Sequence, residues 1–152
     1  MGNPIHTMSS AVGRRTPVDD TITVLVVDDD FDARRIYSEY LRSKGWTVTT
    51  AADGRRGIEK AMDLKPDVVV LDLAMPRVDG WTVLKELRGS SWTASMPIVV
   101  VSAVTDARDE AYSAGCDAFL AKPCPPEVVW LQIRAMFRVA ATLRRTPPPA
   151  EA

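Results

Sequence analysis

Short apolar runs, separated by segments of helical periodicity, constrain the fold of this chain more than any other feature of its sequence. The runs lie at Thr21–Val27, Thr47–Thr50, Asp67–Leu71, Pro97–Val101 and Ala118–Ala121. Several are apolar at consecutive positions rather than at every second one, which indicates strands that are covered on both faces, as in a parallel sheet.

The segments between these runs have the spacing of amphipathic helices. The candidates lie at Ala33–Leu41, Ile58–Met62, Val83–Leu87, Asp106–Ala114 and a stretch after Pro126 that reaches about Arg144. In the first of them apolar residues recur at i, i+3, i+4, i+7 and i+8, and Gly45 then ends the helix.

This alternation predicts an α/β protein with a flavodoxin-like (βα)5 fold, a doubly wound parallel sheet with strand order 2-1-3-4-5. The 152 residues, 46% of them hydrophobic, suit one domain with an ordinary core. We place that domain at residues 21–143, between a flexible N-terminal arm at 1–20 and a Pro-rich C-terminal tail at 144–152.

Composition argues against several functional classes. A net charge of −1 gives no general electrostatic reason to bind nucleic acid or an anionic membrane. No apolar run approaches the ~20 residues of a membrane span, and the N-terminus lacks the apolar core of a signal peptide. Two cysteines, Cys116 and Cys124, fit a reducing compartment. We therefore expect a cytoplasmic protein without a membrane or nucleic-acid partner.

Ionisable or hydroxyl side chains follow four of the five predicted strands. Asp28, Asp29 and Asp30 end the first strand, Asp72 the third, Ser102 the fourth and Lys122 the fifth. Any one of them alone is an ordinary turn or capping residue. Functional sites of open parallel sheets lie at the carboxyl ends of the strands, so this combination predicts a site on one rim.

The chemistry of that rim follows from its residue types. Neighbouring carboxylates repel by roughly 4 kcal/mol per pair at ~4 Å and an effective dielectric of ~20, so a proton or a cation must relieve them. Oxygen ligands without histidine or thiolate favour Mg²⁺ or Mn²⁺. Asp72 could then attack phosphorus and form an acyl phosphate, while Lys122 and Ser102 hold the phosphoryl oxygens.

Five motifs make these residues recognisable. They are VLVVDDD at 24–30, AADG at 51–54, PDVVVLDLAMPRVDG at 66–80, PIVVVSA at 97–103 and AGCDAFLAKP at 114–123. With them, the stretch from about Thr21 to Leu143 resembles the receiver domain of two-component response regulators. The resemblance covers about four fifths of the chain and implies signalling by phosphorylation.

The resemblance also implies a role for each residue. Asp72 would be the phosphoacceptor, and Lys122 the phosphate-binding lysine, with a cis peptide between Lys122 and Pro123. The metal ligands would be Asp28, Asp29, Asp72 and the backbone carbonyl of Ala74. Ser102 and Phe119 would form the switch, in which the hydroxyl turns toward the phosphoryl group and the ring rotates inward behind it.

Several functions remain open at this point. The leading one is a switch that takes phosphate from a sensor histidine kinase or phosphotransfer protein and changes its contact with an unknown protein target. The alternative is an intermediate phosphorelay module that passes phosphate to a phosphotransfer histidine protein. In either case the chain is no enzyme beyond self-phosphorylation and self-dephosphorylation at Asp72. No pocket-forming insertion supports a phosphatase acting on an external substrate.

The fifth predicted helix has more apolar surface than one face of a sheet requires. One stripe, suited to the core, comprises Val129, Ile133, Met136, Phe137 and Ala140. A neighbouring stripe comprises Val128, Leu131, Ala135 and Val139, with Trp130 beside it. The second stripe predicts either a cover for the sheet edge or a partner surface, with a homodimer through the fourth and fifth helices as one possibility.

Overall fold

The computed structural model describes residues 21–145, in which strands and helices alternate from end to end. Strands β1 to β5 are Thr23–Val27, Thr47–Ala51, Val68–Leu71, Ile98–Ser102 and Ala118–Ala121. Helices α1 to α5 are Phe31–Ser43, Gly54–Leu64, Gly80–Gly89, Arg108–Ser113 and Pro126–Arg145.

The five strands form a single parallel sheet in the order β2-β1-β3-β4-β5. This confirms the predicted flavodoxin-like fold and its strand order. Val27, the last residue of β1, lies opposite Leu71, the last residue of β3. Ser102 at the end of β4 likewise lies opposite Ala121 at the end of β5. Between the two pairs, Leu71 lies opposite Val100, so β4 extends two residues beyond the end of β3.

The sheet separates two apolar layers, because alternate side chains of each strand point to opposite faces. Leu25 and Val27 of β1 face α2, α3 and α4, in one core that also contains Phe119. Val24 and Val26 face the second core, which α1 and α5 cover. The continuous apolar runs of the sequence thus correspond to strands buried on both sides, as predicted.

The boundaries differ from the predicted ones by a few residues. The strand β1 begins at Thr23, and α4 begins at Arg108 because residues Thr105–Ala107 form a 3-10 turn instead. The helix α5 reaches Arg145. The predicted arm at 1–20 and residues 146–152 of the predicted tail lie outside the described residues. Among residues 21–145, no helix combines the length and hydropathy needed to cross a bilayer.

Aspartates fix the starts of the three helices that follow β1, β2 and β3. The side chains of Asp30, Asp53 and Asp79 accept hydrogen bonds from the backbone N–H groups of Ala33, Arg56 and Thr82, respectively. Each bond satisfies a donor that a helix N-terminus leaves without an intrahelical partner. Asp30 is therefore a capping residue, as its position after β1 suggested.

Gly80 places the start of α3 directly against the end of β3. Its N–H donates to the carbonyl of Leu73 at 3.0 Å. A Cβ at this position would lie 2.1 Å from the carbonyl oxygen of Asp72 and 2.5 Å from the Cα of Leu73. Because both contacts are with backbone, only a residue without a Cβ permits this approach.

We expect Gly80→Ala to lower the free energy of unfolding by roughly 2–3 kcal/mol, since the added methyl must displace backbone. Gly89→Ala, at the other end of the same helix, is the matched control, because a Cβ there meets nothing within 4 Å. It should be neutral or stabilise by up to about 1 kcal/mol. Urea denaturation measures both; equal stabilities of the two variants would contradict the close approach.

Candidate functional site

Four adjacent strands bring the predicted site residues together at one edge of the sheet. Asp28 follows β1 and Asp72 follows β3, and the N–H of Asp72 donates to the carbonyl of Val27 at 3.0 Å. Ser102 is the last residue of β4, and its carbonyl accepts a hydrogen bond from the N–H of Lys122 at 2.9 Å. Backbone pairing alone therefore sets most of the site.

Three carboxylates converge on this edge. Asp28, Asp29 and Asp72 each offer an oxygen, and these oxygens all lie within 4.8 Å of one another. Asp28 and Asp72 are only 3% and 6% exposed, whereas Asp29 is open to solvent. Two buried carboxylates this close require a compensating positive charge.

Lys122 supplies part of that charge. Its Nζ lies 2.8 Å from Oδ2 of Asp28 and 3.5 Å from Oδ2 of Asp72, so one ammonium bridges both buried acids. The Lys122 side chain is itself largely buried. The peptide between Lys122 and Pro123 is cis, as the family resemblance predicted.

The pKa values of Asp72 and Lys122 reflect this mutual dependence. Burial, followed by the charge of Asp28, raises the pKa of Asp72, against the opposing effects of Lys122 and the Ala74 N–H. For Lys122, burial alone would lower the pKa. Its hydrogen bond to Asp28 and the charges of both acids outweigh burial and raise the pKa of the ammonium group. The lysine therefore remains charged at neutral pH.

The loop after β1 is held by bonds that the sequence did not reveal. Oδ1 of Asp28 accepts the N–H of Asp30 at 2.9 Å, and Oδ2 accepts Lys122, so both oxygens have a partner. Nη1 of Arg34 donates to the backbone carbonyl of Asp28 at 2.7 Å. Arg34 lies six residues further on, in α1, where its charge alone gave no sign of this contact.

Two further predicted residues lie at the same edge of the sheet. The N–H of Ala74 donates to Oδ1 of Asp72 at 3.2 Å, which orients the carboxylate. The assignment of the Ala74 carbonyl as a metal ligand stays a prediction. Ser102 is fully buried, and its Oγ accepts the N–H of Val104 at 3.2 Å.

Phe119 already points inward in this structure. The residue is 4% exposed and belongs to the core beneath α3 and α4. The N–H of Phe119 donates to the hydroxyl of Tyr112 in α4 at 3.2 Å, a contact that sequence reasoning missed. The switch role of Ser102 and Phe119 stays a prediction.

The acidic cluster fits a hard divalent cation. Its donors are carboxylate oxygens alone, and one member, Asp29, is open to solvent. Mg²⁺ prefers oxygen ligands, keeps several waters and uses few protein carboxylates, which matches a cluster with one exposed side. Mn²⁺ suits the same donors.

A family model confirms what this geometry indicates. The model of the response regulator receiver domain matches residues 24–134, which include every site residue discussed above. The chain therefore belongs to the response regulator receiver domain family, the receiver domains of two-component systems.

Curated relatives share this domain within longer proteins. The chain is 35% identical over 117 residues to the DNA-binding dual master transcriptional regulator RpaA of Synechocystis, covering 76% of this chain and 48% of that protein. It is 38% identical over 144 residues to a protein-glutamate methylesterase/protein-glutamine glutaminase of Myxococcus xanthus, covering 86% and 41%, respectively. The chain thus spans about half the length of the curated relatives it matches.

Solved structures of a response regulator and of a receiver domain are similar over nearly their full length. The chemotaxis response regulator CheY4 of Vibrio cholerae has a TM-score of 0.71 and 32% identity, with 76% of this chain and 98% of that chain covered. The receiver domain of a sensor histidine kinase of Pseudomonas aeruginosa, whose structure has a magnesium ion in the active-site cleft, has a TM-score of 0.71 and 25% identity, with coverage of 78% and 98%.

We expect replacement of Asp28 and Asp29 together by Asn to weaken Mg²⁺ binding at least tenfold, because two of the three carboxylates lose their charge. Isothermal titration calorimetry with Mg²⁺ or Mn²⁺ measures the change. Asp32→Asn, an exposed acid in the first turn of α1, is the matched control and should bind as the unaltered protein does. Unchanged affinity in the double variant would place the cation elsewhere.

Proposed function

We propose that this chain is a phosphorylation-activated switch in which Asp72 accepts a phosphoryl group from a sensor histidine kinase or phosphotransfer protein. The observation that carries the proposal is the bridge formed by Lys122 between Asp28 and Asp72, at 2.8 and 3.5 Å. This bridge places the Lys122 ammonium beside Asp72, a buried carboxylate that caps no helix. An incoming phosphoryl group needs a positive charge at this position, because its oxygens are negatively charged.

The transfer needs no other group of this chain to form a bond. An Asp72 carboxylate oxygen attacks phosphorus, the P–N bond of the donor phosphohistidine breaks, and the departing imidazole keeps the electron pair. Lys122, held beside Asp72, donates a hydrogen bond to one phosphoryl oxygen, and the Ser102 hydroxyl donates a hydrogen bond to another. A bound divalent cation would supply charge neutralisation between the acids and the phosphoryl oxygens.

The only reactions in this proposal are the phosphorylation and dephosphorylation of Asp72 itself. Water attacks phosphorus, the P–O bond to Asp72 breaks, and the carboxylate and inorganic phosphate are released. The methylesterase activity named for the Myxococcus xanthus relative is not carried over, because less than half of that protein is matched.

The output of the switch is a shift between two arrangements. A phosphoryl group that engages Ser102 withdraws its Oγ from the N–H of Val104, at the start of the turn that leads into α4. The inward position of Phe119 then becomes the arrangement that phosphorylation stabilises, in line with selection of an existing state. We expect the conformational change to reach the surface of α4 first, because Tyr112 of that helix is hydrogen-bonded to Phe119.

The fifth helix offers a surface for the partner. Val129 and Ile133 are buried, and Met136 and Phe137 pack against the same core, which leaves the second stripe outside. Of that stripe Val128, Leu131 and Val139 are 40%, 47% and 60% exposed. Exposed apolar stripes usually mark interaction sites, so we assign this one to a protein target or a second copy of the chain through α4 and α5.

A phosphorelay role is the second candidate. It is favoured by the similarity to a receiver domain that belongs to a sensor histidine kinase. In that case phosphate would leave Asp72 for a phosphotransfer histidine protein, and the α5 surface would not respond. Nucleic-acid binding is not proposed for the described domain, although the RpaA relative is named as DNA-binding. Both cysteines are free thiols, which favours the reducing cytoplasm as the compartment.

We expect Asp72→Asn to abolish labelling by acetyl phosphate in the presence of Mg²⁺, because the amide lacks the nucleophilic oxygen. Intact-mass spectrometry measures the added phosphoryl group, and circular dichroism checks that the fold survives. Asp63→Asn, an exposed acid on α2, should be labelled as the unaltered protein is. Labelling of the Asp72 variant at the normal level would rule out this acceptor.

We expect beryllofluoride, a phosphoryl mimic, to change self-association or target binding by about 5- to 150-fold, the usual range for coupled sites. Leu131→Lys should remove the response, while Leu64→Lys, at an exposed leucine on α2, should retain it. Light scattering and sedimentation measure the mass with and without the mimic. No response in the unaltered protein, with any partner tested, would favour the relay role.

A further inference from the structure

Tyr37 connects α1 to the loop that follows Lys122. Its side chain is 5% exposed, and its hydroxyl donates to the backbone carbonyl of Cys124 at 2.9 Å. The two residues are 87 positions apart in sequence. Cys124 comes two residues after Lys122, so the bond holds the chain close to the phosphate-binding lysine.

Few backbone hydrogen bonds hold this loop, although the Cys124 side chain also packs against the core under α1 and α5. Residues 123, 125 and 126 are prolines, which lack a backbone N–H, so Cys124 carries the only backbone donor between Lys122 and Glu127. The N–H of Lys122 is bonded to β4, and the carbonyl of Pro125 accepts the N–H of Val128 in α5. Between these two attachments, the hydrogen bond from the Tyr37 hydroxyl connects the loop to α1.

The hydroxyl is suited to a permanent donor role. The Tyr37 ring packs in the apolar core under α1 and α5, where an unpaired hydroxyl would be costly. Burial, then Cys124, Asp28 and Asp72, raise the pKa of Tyr37 to about 12 against the opposing charge of Lys122. The proton therefore stays on the hydroxyl at neutral pH, and the group lies within electrostatic reach of the site.

We propose that Tyr37 is a positioning residue for phosphoryl transfer, which acts by fixing the Lys122–Cys124 backbone so that the Lys122 ammonium stays between Asp28 and Asp72. The inference rests on the proposed function. The ammonium bridges two oxygens, at 2.8 and 3.5 Å, and a displaced loop would lengthen these contacts. Transfer slows because charge stabilisation depends on fixed geometry.

Tyr37→Phe isolates the hydroxyl, because the ring remains in the core. We expect the rate of labelling by acetyl phosphate and Mg²⁺ to fall about fivefold, in the range of one lost hydrogen bond. The dissociation constant for Mg²⁺ should change less than twofold, since the Tyr37 hydroxyl bonds to the carbonyl of Cys124 and not to a carboxylate. Tyr40→Phe is the matched control, on the same helix with its ring against Trp130, and its rate should be unchanged.

A double-mutant cycle separates positioning from simple destabilisation. If Tyr37 acts through Lys122, adding Tyr37→Phe to Lys122→Met should change the labelling rate less than twofold. A structural role would instead multiply the two losses, and that result would overturn the inference. If Lys122→Met is too slow to measure, the same cycle is run on the affinity for beryllofluoride with Mg²⁺, with the same two outcomes.

The proposed function and this inference fail in different ways. If the unaltered protein gains no phosphoryl group, or gains it equally in Asp72→Asn, the proposed function is wrong and the inference falls with it. If the unaltered protein is labelled at Asp72 and Tyr37→Phe is labelled at the same rate, only the positioning role is wrong. A parallel fall in Mg²⁺ affinity and labelling rate would also overturn it.

Discussion

The parallel register of the sheet is the constraint on which the site depends. All strands run in one direction, β1 ends level with β3 and β4 ends level with β5, so the residues at the carboxyl ends of these four strands share one edge. This brings together two buried carboxylates that repel each other, Asp28 and Asp72. Lys122, which follows β5 at the edge of the sheet, offsets the repulsion. The parallel strand arrangement thus brings two repelling carboxylates together and also places the lysine that relieves their repulsion.

Much of this could be predicted from the sequence because the deciding signals are local. Continuous apolar runs such as Val68–Leu71 identify buried parallel strands, and the alternation with helices leaves few topologies. Once the strand order is known, the residue after each strand has a known place on the rim. The convergence of Asp28, Asp29 and Asp72 was therefore accessible without coordinates, as the oxygens within 4.8 Å confirm.

The features that sequence missed depend on contacts between distant residues. The sequence places Tyr37 in the apolar stripe of the first predicted helix, and nothing in its local pattern shows that its hydroxyl bonds to Cys124. The general rule that a buried tyrosine needs a polar partner could have raised the question but not answered it. The bond of Tyr112 to Phe119, and the inward ring itself, depend on how α4 sits against β5. The composition of the 3-10 turn at Thr105–Ala107 does not distinguish it from a helix, so the predicted start of α4 at Asp106 is two residues too early.

The division of the core by the sheet has a consequence for how such a domain can diversify. Phe119 and its neighbours under α3 and α4 belong to one layer, while Tyr37 and its neighbours under α1 and α5 belong to the other. The layers meet only through the strands, whose side chains alternate between them. Substitutions that retune the read-out at Phe119 therefore need not disturb the packing that supports Tyr37. If Tyr37 positions Lys122 and Phe119 responds to the phosphoryl group as proposed, the rate of modification and the response to it depend on separate sets of residues.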